Sequence, residues 1–488
     1  MYLLQGPEQR NITAPHPRRV RSADRQSLKR RISSIMEQKS KKSTLLGWGV
    51  GDFGFQLMIY VSVSYFSAFL TDYAELPLAL AGVVMTITGI GDAITQPFSG
   101  VLVTKMNMRW GKYRSWYIVG PPIVLAAFVM TFTKIGSPVM AAAIIFVFYV
   151  ISRFTFNCIW AAHLALIPYV GKNPQERSFL SASRGIWQTA GTLLFSAIGL
   201  SILNLFTGKL GNVNGFTLFA FVFGLCMWAG YTVSFIATRG TPEPTKATEA
   251  KKKQKVGAKS FIMAIVKNPP LLFLMLAEVA RNLSQFLFTI FIFYYFKYTT
   301  DVFLMYSVFM TVTNVVKLVG AGLTTWICGK IGAKNTYLFG TIGNAVFFAV
   351  AFLFANNVWL FMVFCSLAFL AVSLPVGATS LMFGQCGEYS QWKTGVDNRA
   401  FVTGLIGFPV KIASFTKGPL MSAALIAMGF VANTDASPAV ISGLRFQSAM
   451  VPAIWSVISA VFILFYGLNN KKVKEMEAGL KAMEAAAE

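Results

Sequence analysis

Gly89-Ile-Gly-Asp92-Ala-Ile-Thr95-Gln96-Pro97, followed by Met106-Asn-Met-Arg109-Trp110-Gly-Lys112-Tyr-Arg114, is the stretch from which the rest of the chain is read. Asp92 is the only charged residue in the run 76–104. At ~1.5 Å rise per helical residue, such a run crosses the ~30 Å hydrocarbon core of a bilayer. A carboxylate inside it is costly, so it is expected to face a bundle interior or a wet cavity and to mark an ion or substrate path. The basic loop with Lys105, Arg109, Lys112 and Arg114 anchors that helix end on one side of the membrane.

Composition agrees with this reading. Of 488 residues, 55% are hydrophobic and only 13% charged, and the mean hydropathy is +0.58. The apolar residues come in runs rather than stripes, and a polytopic all-α membrane protein is the class that fits. The net charge of +24 does not point to nucleic acid, because the Lys and Arg residues sit in tails and short loops, as membrane topology requires. The five cysteines, Cys158, Cys226, Cys328, Cys365 and Cys386, contain no CxxC pair and imply no disulfide or zinc framework. There is no HExxH, GxSxG, Walker loop or Rossmann fingerprint, and the chain has two histidines. An enzyme, or a protein with a bound cofactor, is therefore not expected.

Apolar runs fall at about 45–70, 76–104, 115–133, 138–168, 179–205, 214–238, 269–296, 302–328, 336–355, 357–386, 401–431 and 446–469, which makes twelve transmembrane helices. An even number places both termini on one side. Lys172 and Arg177, Lys330 and Lys334, and Lys393 and Arg399 follow spans four, eight and ten, whereas the opposite loops carry only scattered charges such as Asp72, Glu75, Lys134 and Lys209. The expectation is a protein of the cell (inner) membrane with both termini cytoplasmic. Residues 1–43 form a basic tail without the apolar core of a secretory signal, and Met36 would serve as an alternative start. Residues 239–268, containing Pro242-Glu-Pro244 and Lys251-Lys-Lys253, read as a hydrated linker with a short surface helix at 260–267. The linker divides six-helix bundles at 44–238 and 269–469, and a tail follows at 470–488. The loops after spans two and eight echo each other, Arg109-Trp-Gly-Lys112 against Cys328-Gly-Lys-Ile-Gly-Ala-Lys334. Six plus six spans with matching loops predict the major facilitator fold, with substrate near the midplane between two rocking halves.

The polar groups inside these spans are the candidate site. Asp52 sits in Gly49-Val-Gly-Asp52-Phe-Gly54, where glycines admit close approach and a carboxylate can accept two hydroxyls at once; the alternative is an acid that snorkels to water. Thr95 and Gln96 follow Asp92 by three and four residues, on the same helical face, and with it resemble half a sodium site; a structural ion pair is the alternative. Lys411, near the middle of span eleven, is the candidate counter-charge for Asp92 and a candidate substrate-binding residue. Arg184 can offer a planar fork to sugar hydroxyls or a carboxylate, or snorkel to the interface. Trp160 and Trp187 offer stacking faces for a sugar, or pack. Arg153, Asn157 and Lys317 are further intramembrane polar groups, Glu278 and Arg281 are spaced to neutralise each other, and His163 reads as a hydrogen-bonded packing residue before a proton relay.

Gly51-Asp52-Phe-Gly54, Asp92-Ala-Ile-Thr-Gln96-Pro97, Arg109-Trp-Gly-Lys-Tyr-Arg114-Ser-Trp116 and Gly387-Glu388-Tyr-Ser-Gln-Trp392-Lys393-Thr394-Gly395, together with Lys411, resemble the motifs of the glycoside-pentoside-hexuronide:cation symporters. These are the melibiose-permease-like members of the major facilitator superfamily, and the likeness runs from about Ser43 to the last span. The resemblance implies cation-coupled uptake of a sugar, glycoside or hexuronide by alternating access. It assigns substrate binding to Asp52 and Arg184, cation coupling to Asp92 with Asn157 at a ligand position, and a place beside the cation to Lys411. Gln96 stands where the family commonly has a second carboxylate, and Trp160 where members carry a sugar-binding acid in span four. Val396-Asp397-Asn-Arg399 replaces the usual ending of the last motif. With one carboxylate missing, the coupling ion is H⁺ or Na⁺ at Asp92 and Gln96, and the more positive cavity implies an anionic or bulky substrate such as a uronide or aryl glycoside. The expected partners are that small molecule and the lipid bilayer. A carrier of lysolipid or another amphiphile, and a non-transporting receptor working through its basic linker, are the alternatives.

Overall fold

The computed structural model describes residues 42–241, 268–394 and 399–487; the basic tail and the expected surface helix at 260–267 lie outside them. The described chain is helical: α1 Lys42–Ala68, continued by a π-turn Phe69–Tyr73, then α2 Leu78–Lys105, α3 Trp116–Thr131, α4 Pro138–Val170, α5 Pro174–Leu210 and α6 Asn212–Ala237. After the linker come α7 Pro269–Thr299, α8 Met305–Ile331, α9 Ala333–Leu353, α10 Val358–Thr394, α11 Phe408–Ala427, α12 Pro438–Leu464 and α13 Asn470–Ala487. Among the described residues, ten helices are long and apolar enough to cross a membrane. The 16-residue α3 and the 20-residue α11, which carries Lys411 and Lys417, complete the expected twelve.

One local device starts four of these helices. Ser137-Pro138, Asn173-Pro174, Asn268-Pro269 and Ser437-Pro438 each place a capping oxygen before a proline whose fixed φ suits the first helical position. Asn173 accepts from the Glu176 amide at 2.8 Å, and Ser437 from the Val440 amide at 3.3 Å. These caps start α5 at Pro174 and α12 at Pro438, upstream of the 179 and 446 set by hydropathy, because the first turns are polar but still hydrogen-bonded. Gly211 and Gly332, with φ of 80° and 82°, stop α5 and α8 and turn the chain directly into α6 and α9.

The spans pack as two groups of six. In the first half α1 lies against α5 and α6, α2 against α4, and α3 against α4 and α6; in the second, α7 lies against α12 and α11, while α10 packs on α8 and α9. The halves meet through α2–α11, α5–α8 and α1–α7. Adding six to a helix number in the first half exchanges α2–α11 with α8–α5, so the seam itself obeys the internal repeat. Backbones approach closely there: a Cβ on Gly89 would stand 2.8 Å from the Phe415 Cα, and one on Gly418 would stand 3.0 Å from the Gly82 carbonyl oxygen. The outer surface stays apolar, with Val139, Phe339, Trp359 and Leu353 exposed by 64% to 75%, as lipid-facing side chains are.

Asp72 corrects the sequence reading. Its place after span one suggested a loop charge, yet the π-turn buries it at 1% exposure and turns it toward the other half. Lys297 and Tyr298 of α7 donate to its carboxylate at 2.5 and 2.6 Å, and Thr71 donates to it at 2.7 Å. The Asn433 amide, before α12, donates to the Asp72 main-chain oxygen at 2.7 Å. Thr71 and the Tyr294 hydroxyl, 2.7 Å apart, add a second cross-half bond. Together these groups latch the end of the bundle remote from the termini. Asp72→Asn removes the charge that holds Lys297, so this end is expected to open more often. A cysteine placed at Gln285, on a cavity wall, should then react several-fold faster with a membrane-impermeant thiol reagent added from that side; unchanged labelling would show that the carboxylate does not hold the end shut.

Candidate functional site between the halves

Asp92, 5% exposed, is held by three side chains from two other helices. Lys411 Nζ of α11 donates to its Oδ2 at 2.6 Å, Arg153 Nη2 of α4 donates to the same oxygen at 3.3 Å, and Asn157 Nδ2 donates to Oδ1 at 3.0 Å. Sequence reasoning paired Asp92 with Lys411 and Asn157, and the structure brings all three together. It named Arg153, one turn before Asn157 on the same face, as an intramembrane polar group without pairing it to Asp92. Thr95 and Gln96 do not join the cluster. The Thr95 hydroxyl donates to the main-chain oxygen of Asp92 at 3.3 Å, and the Gln96 amide is exposed and makes no side-chain hydrogen bond among the described residues. Beyond Asp92, α2 runs out of the seam, so Ile94, Gln96, Pro97 and Phe98 are all exposed. The cluster borders a cavity of about 160 Å³ between the halves, whose charged walls are Asp92, Arg153, Lys411 and Lys417.

Asp52 is fully buried and already saturated. His163 Nε2 lies 2.9 Å from its Oδ2, Arg184 Nε donates to the same oxygen at 3.3 Å, and Gln188 Nε2 donates to Oδ1 at 3.1 Å. It does not snorkel, and both of its carboxylate oxygens accept from these side chains. His163 is held flat against Trp48, with ring centroids 4.0 Å apart, and its Nδ1 is 2.6 Å from the Tyr117 hydroxyl. The lone histidine therefore belongs to this network. The Arg184 guanidinium lies 4.3 Å over the Trp160 ring, so that ring face is occupied by the arginine. Trp187 packs edge-on to Phe53, 6.0 Å between centroids, and over Gly49, where a Cβ would collide with it. It is a packing residue here.

The larger cavity, about 480 Å³, lies one turn along from Asp52 and is walled by α1, α5, α7, α8 and α10. Its polar lining includes Gln56, Gln188, Thr192, Gln285, Asn314 and Lys317, with Tyr60, Thr189 and Ser373 beside them. Gln56 donates to Thr192 at 3.0 Å, and Asn314 reaches across the seam to Ser196 at 2.8 Å. Asp52 stands behind this wall and holds Gln188 in place. The usable sequence signal was spacing: Gln56 follows Asp52, and Gln188 follows Arg184, by four residues each, which puts each pair on one helical face.

Residues 47–470 match the model of the MFS/sugar transport protein family. The chain belongs to that family. It is 27% identical over 471 residues to the glucuronide carrier protein homolog of Escherichia coli (strain K12), covering 90% of this chain and 96% of that protein. It is 24% identical over 440 residues to the isoprimeverose transporter of Lactiplantibacillus pentosus, covering 88% and 90% of the two chains. Among solved structures, the nucleoside transporter NupG superposes with a TM-score of 0.63 at 13% identity over 88% of this chain and 100% of that one, a likeness of fold. This MFS protein is an integral membrane secondary transporter and not an enzyme.

One further charged network of the transporter lies in the core of the second half, away from both cavities. Arg281 donates to Glu278 through Nε at 2.9 Å and Nη2 at 2.6 Å, the mutual neutralisation that their spacing suggested. Tyr337 of α9 and Thr379 of α10 each donate to Glu278 Oε1 at 2.8 Å, so a single carboxylate ties three helices together.

Proposed function

We propose that this transporter carries a sugar or glycoside through the space between its halves and couples that movement to a proton taken up at Asp92. The observation that carries the reading is the 2.6 Å contact between Lys411 and Asp92, which joins α11 of one half to α2 of the other. A charge pair across the moving seam makes ion uptake and rocking one event, because a neutral Asp92 no longer holds Lys411. Sodium fits this donor set poorly. A hard cation needs several oxygen ligands and compensating negative charge, whereas here one carboxylate already faces two cations, at 2.6 and 3.3 Å, and Gln96 is out of reach. Arg153 also keeps two buried nitrogens, Nε and Nη1, without a hydrogen-bond partner among the described residues. The sugar class is supported by the family and by the names of the glucuronide and isoprimeverose relatives. Both termini are assigned to the cytoplasm, at the inner membrane, because Lys105, Arg109, Lys330 and Lys334 lie at the same end as they do.

The test is uptake into proteoliposomes of a panel of uronides and neutral glycosides under separate proton and sodium gradients. An inward proton gradient should drive accumulation of at least one sugar, and a sodium gradient at constant pH should not. Accumulation driven by sodium alone would overturn the coupling; no sugar movement under either gradient would overturn the substrate class.

A further inference from the structure

Among the described residues, Lys317 is the only charged one on the wall of the larger cavity, and no acid lines it. It lies twelve residues into α8, ~18 Å along the helix and so near the bilayer midplane. Its ammonium rests 4.2 Å over the Phe369 ring and pairs with no anion among the described residues. Its backbone is fixed, since Ser373 of α10 donates to the Lys317 carbonyl at 3.2 Å and a Cβ on Gly320 would meet Ser373 at 2.6 Å. Gln285 also lines the cavity, and its buried amide nitrogen has no hydrogen-bond partner among the described residues. The Lys317 ammonium therefore stands at this cavity with no acceptor among the described residues, and Gln285 carries a second unanswered donor in the same wall. An unpaired lysine at this depth is the kind of costly group that marks a substrate path.

We infer that Lys317 is the receptor for a negatively charged substituent on the substrate, a carboxylate or sulfonate borne by the sugar, with Gln285 as its neutral co-donor. Gln56, Gln188 and Thr192 on the opposite wall supply the mixed donors and acceptors that ring hydroxyls need, so the cavity sorts one substrate into an acidic end toward α8 and a hydroxylated end toward α1 and α5. A lysine is a point charge rather than a planar fork, so it selects for charge more than for the geometry of the acid. This inference rests on the sugar-transport reading and names the chemical class of its cargo.

The experiment compares a methyl glucuronide with its uncharged methyl ester and with the matching methyl glucoside, in proteoliposomes holding the wild type, Lys317→Gln or Lys317→Arg. Wild type should favour the free acid. Lys317→Gln should raise the KM for the acid about ten- to hundredfold, the weight of one charge-assisted hydrogen bond, and leave the two neutral sugars within about threefold. Lys317→Arg should keep most of the preference and shows that the fold survives change at this position. A wild type that moves neutral sugars and rejects the acid, or a Lys317→Gln protein that keeps the wild-type KM for the acid or loses all three compounds alike, overturns the assignment while the sugar-transport reading stands. A wild type that moves none of the three and no other sugar of the uptake panel overturns the underlying reading as well.

Discussion

Asp92→Asn is expected to abolish accumulation while leaving exchange. In the wild type a gradient of one pH unit, about 1.4 kcal/mol for one proton, should sustain roughly tenfold accumulation of substrate. In the variant the internal concentration should stop at the external one. The amide keeps the shape of the carboxylate but not its charge, so Lys411 and Arg153, which meet at Oδ2 at 2.6 and 3.3 Å, lose the anion that holds α11 to α2. Neither the gradient nor the substrate can then change the charge state of the seam. The halves can still rock with substrate bound, so preloaded proteoliposomes should exchange internal for external labelled sugar. The measurement is a pair of assays on one preparation, gradient-driven uptake and counterflow. A variant that concentrates substrate as well as wild type would remove Asp92 from the coupling step.

Much of this seam was legible in the sequence because charge in a membrane has few places to go. A carboxylate in one apolar run and a lysine in another, 319 residues apart, had to find each other or water, and Asp92 and Lys411 do meet. The same logic anticipated the Glu278–Arg281 pair from spacing alone. It failed where the answer depended on which neighbours crowd a helix. Asp52 looked like an open acceptor because its glycines promised room, but α4 and α5 use that room to bring in His163, Arg184 and Gln188. Gln96 looked like a ligand because a period of 3.6 residues puts it on the face of Asp92, yet α2 has left the seam by that turn. Asp72 looked like a loop charge because hydropathy does not register the five-residue π-turn that rotates it inward. Residue type and spacing identify which groups need a partner. Helix crossings, which pair Gly89 with Phe415 and Gly320 with Ser373, decide which partner each one gets.

Glu278→Gln is expected to cost a large part of the stability of the second half. Glu278 is 2% exposed and Arg281 8%, and removing one member of a buried pair costs about 3–5 kcal/mol because the other charge is left uncompensated. The Tyr337 and Thr379 hydroxyls also lose the strongest acceptor available to them. For a unit of roughly 200 residues a loss of this size lowers the apparent Tm by roughly 6–20 °C, which thermal unfolding followed by size-exclusion chromatography in detergent can read directly. Arg281→Met strands the carboxylate instead and should cost a similar amount. The double variant Glu278→Gln/Arg281→Met leaves no buried charge, so it should recover much of the loss of either single variant, since an ion pair replaced by neutral groups of similar volume is often close to neutral. If the two single losses simply add in the double variant, the pair is not a unit, and the stability of the second half must come from the apolar packing of α7, α9 and α10 alone.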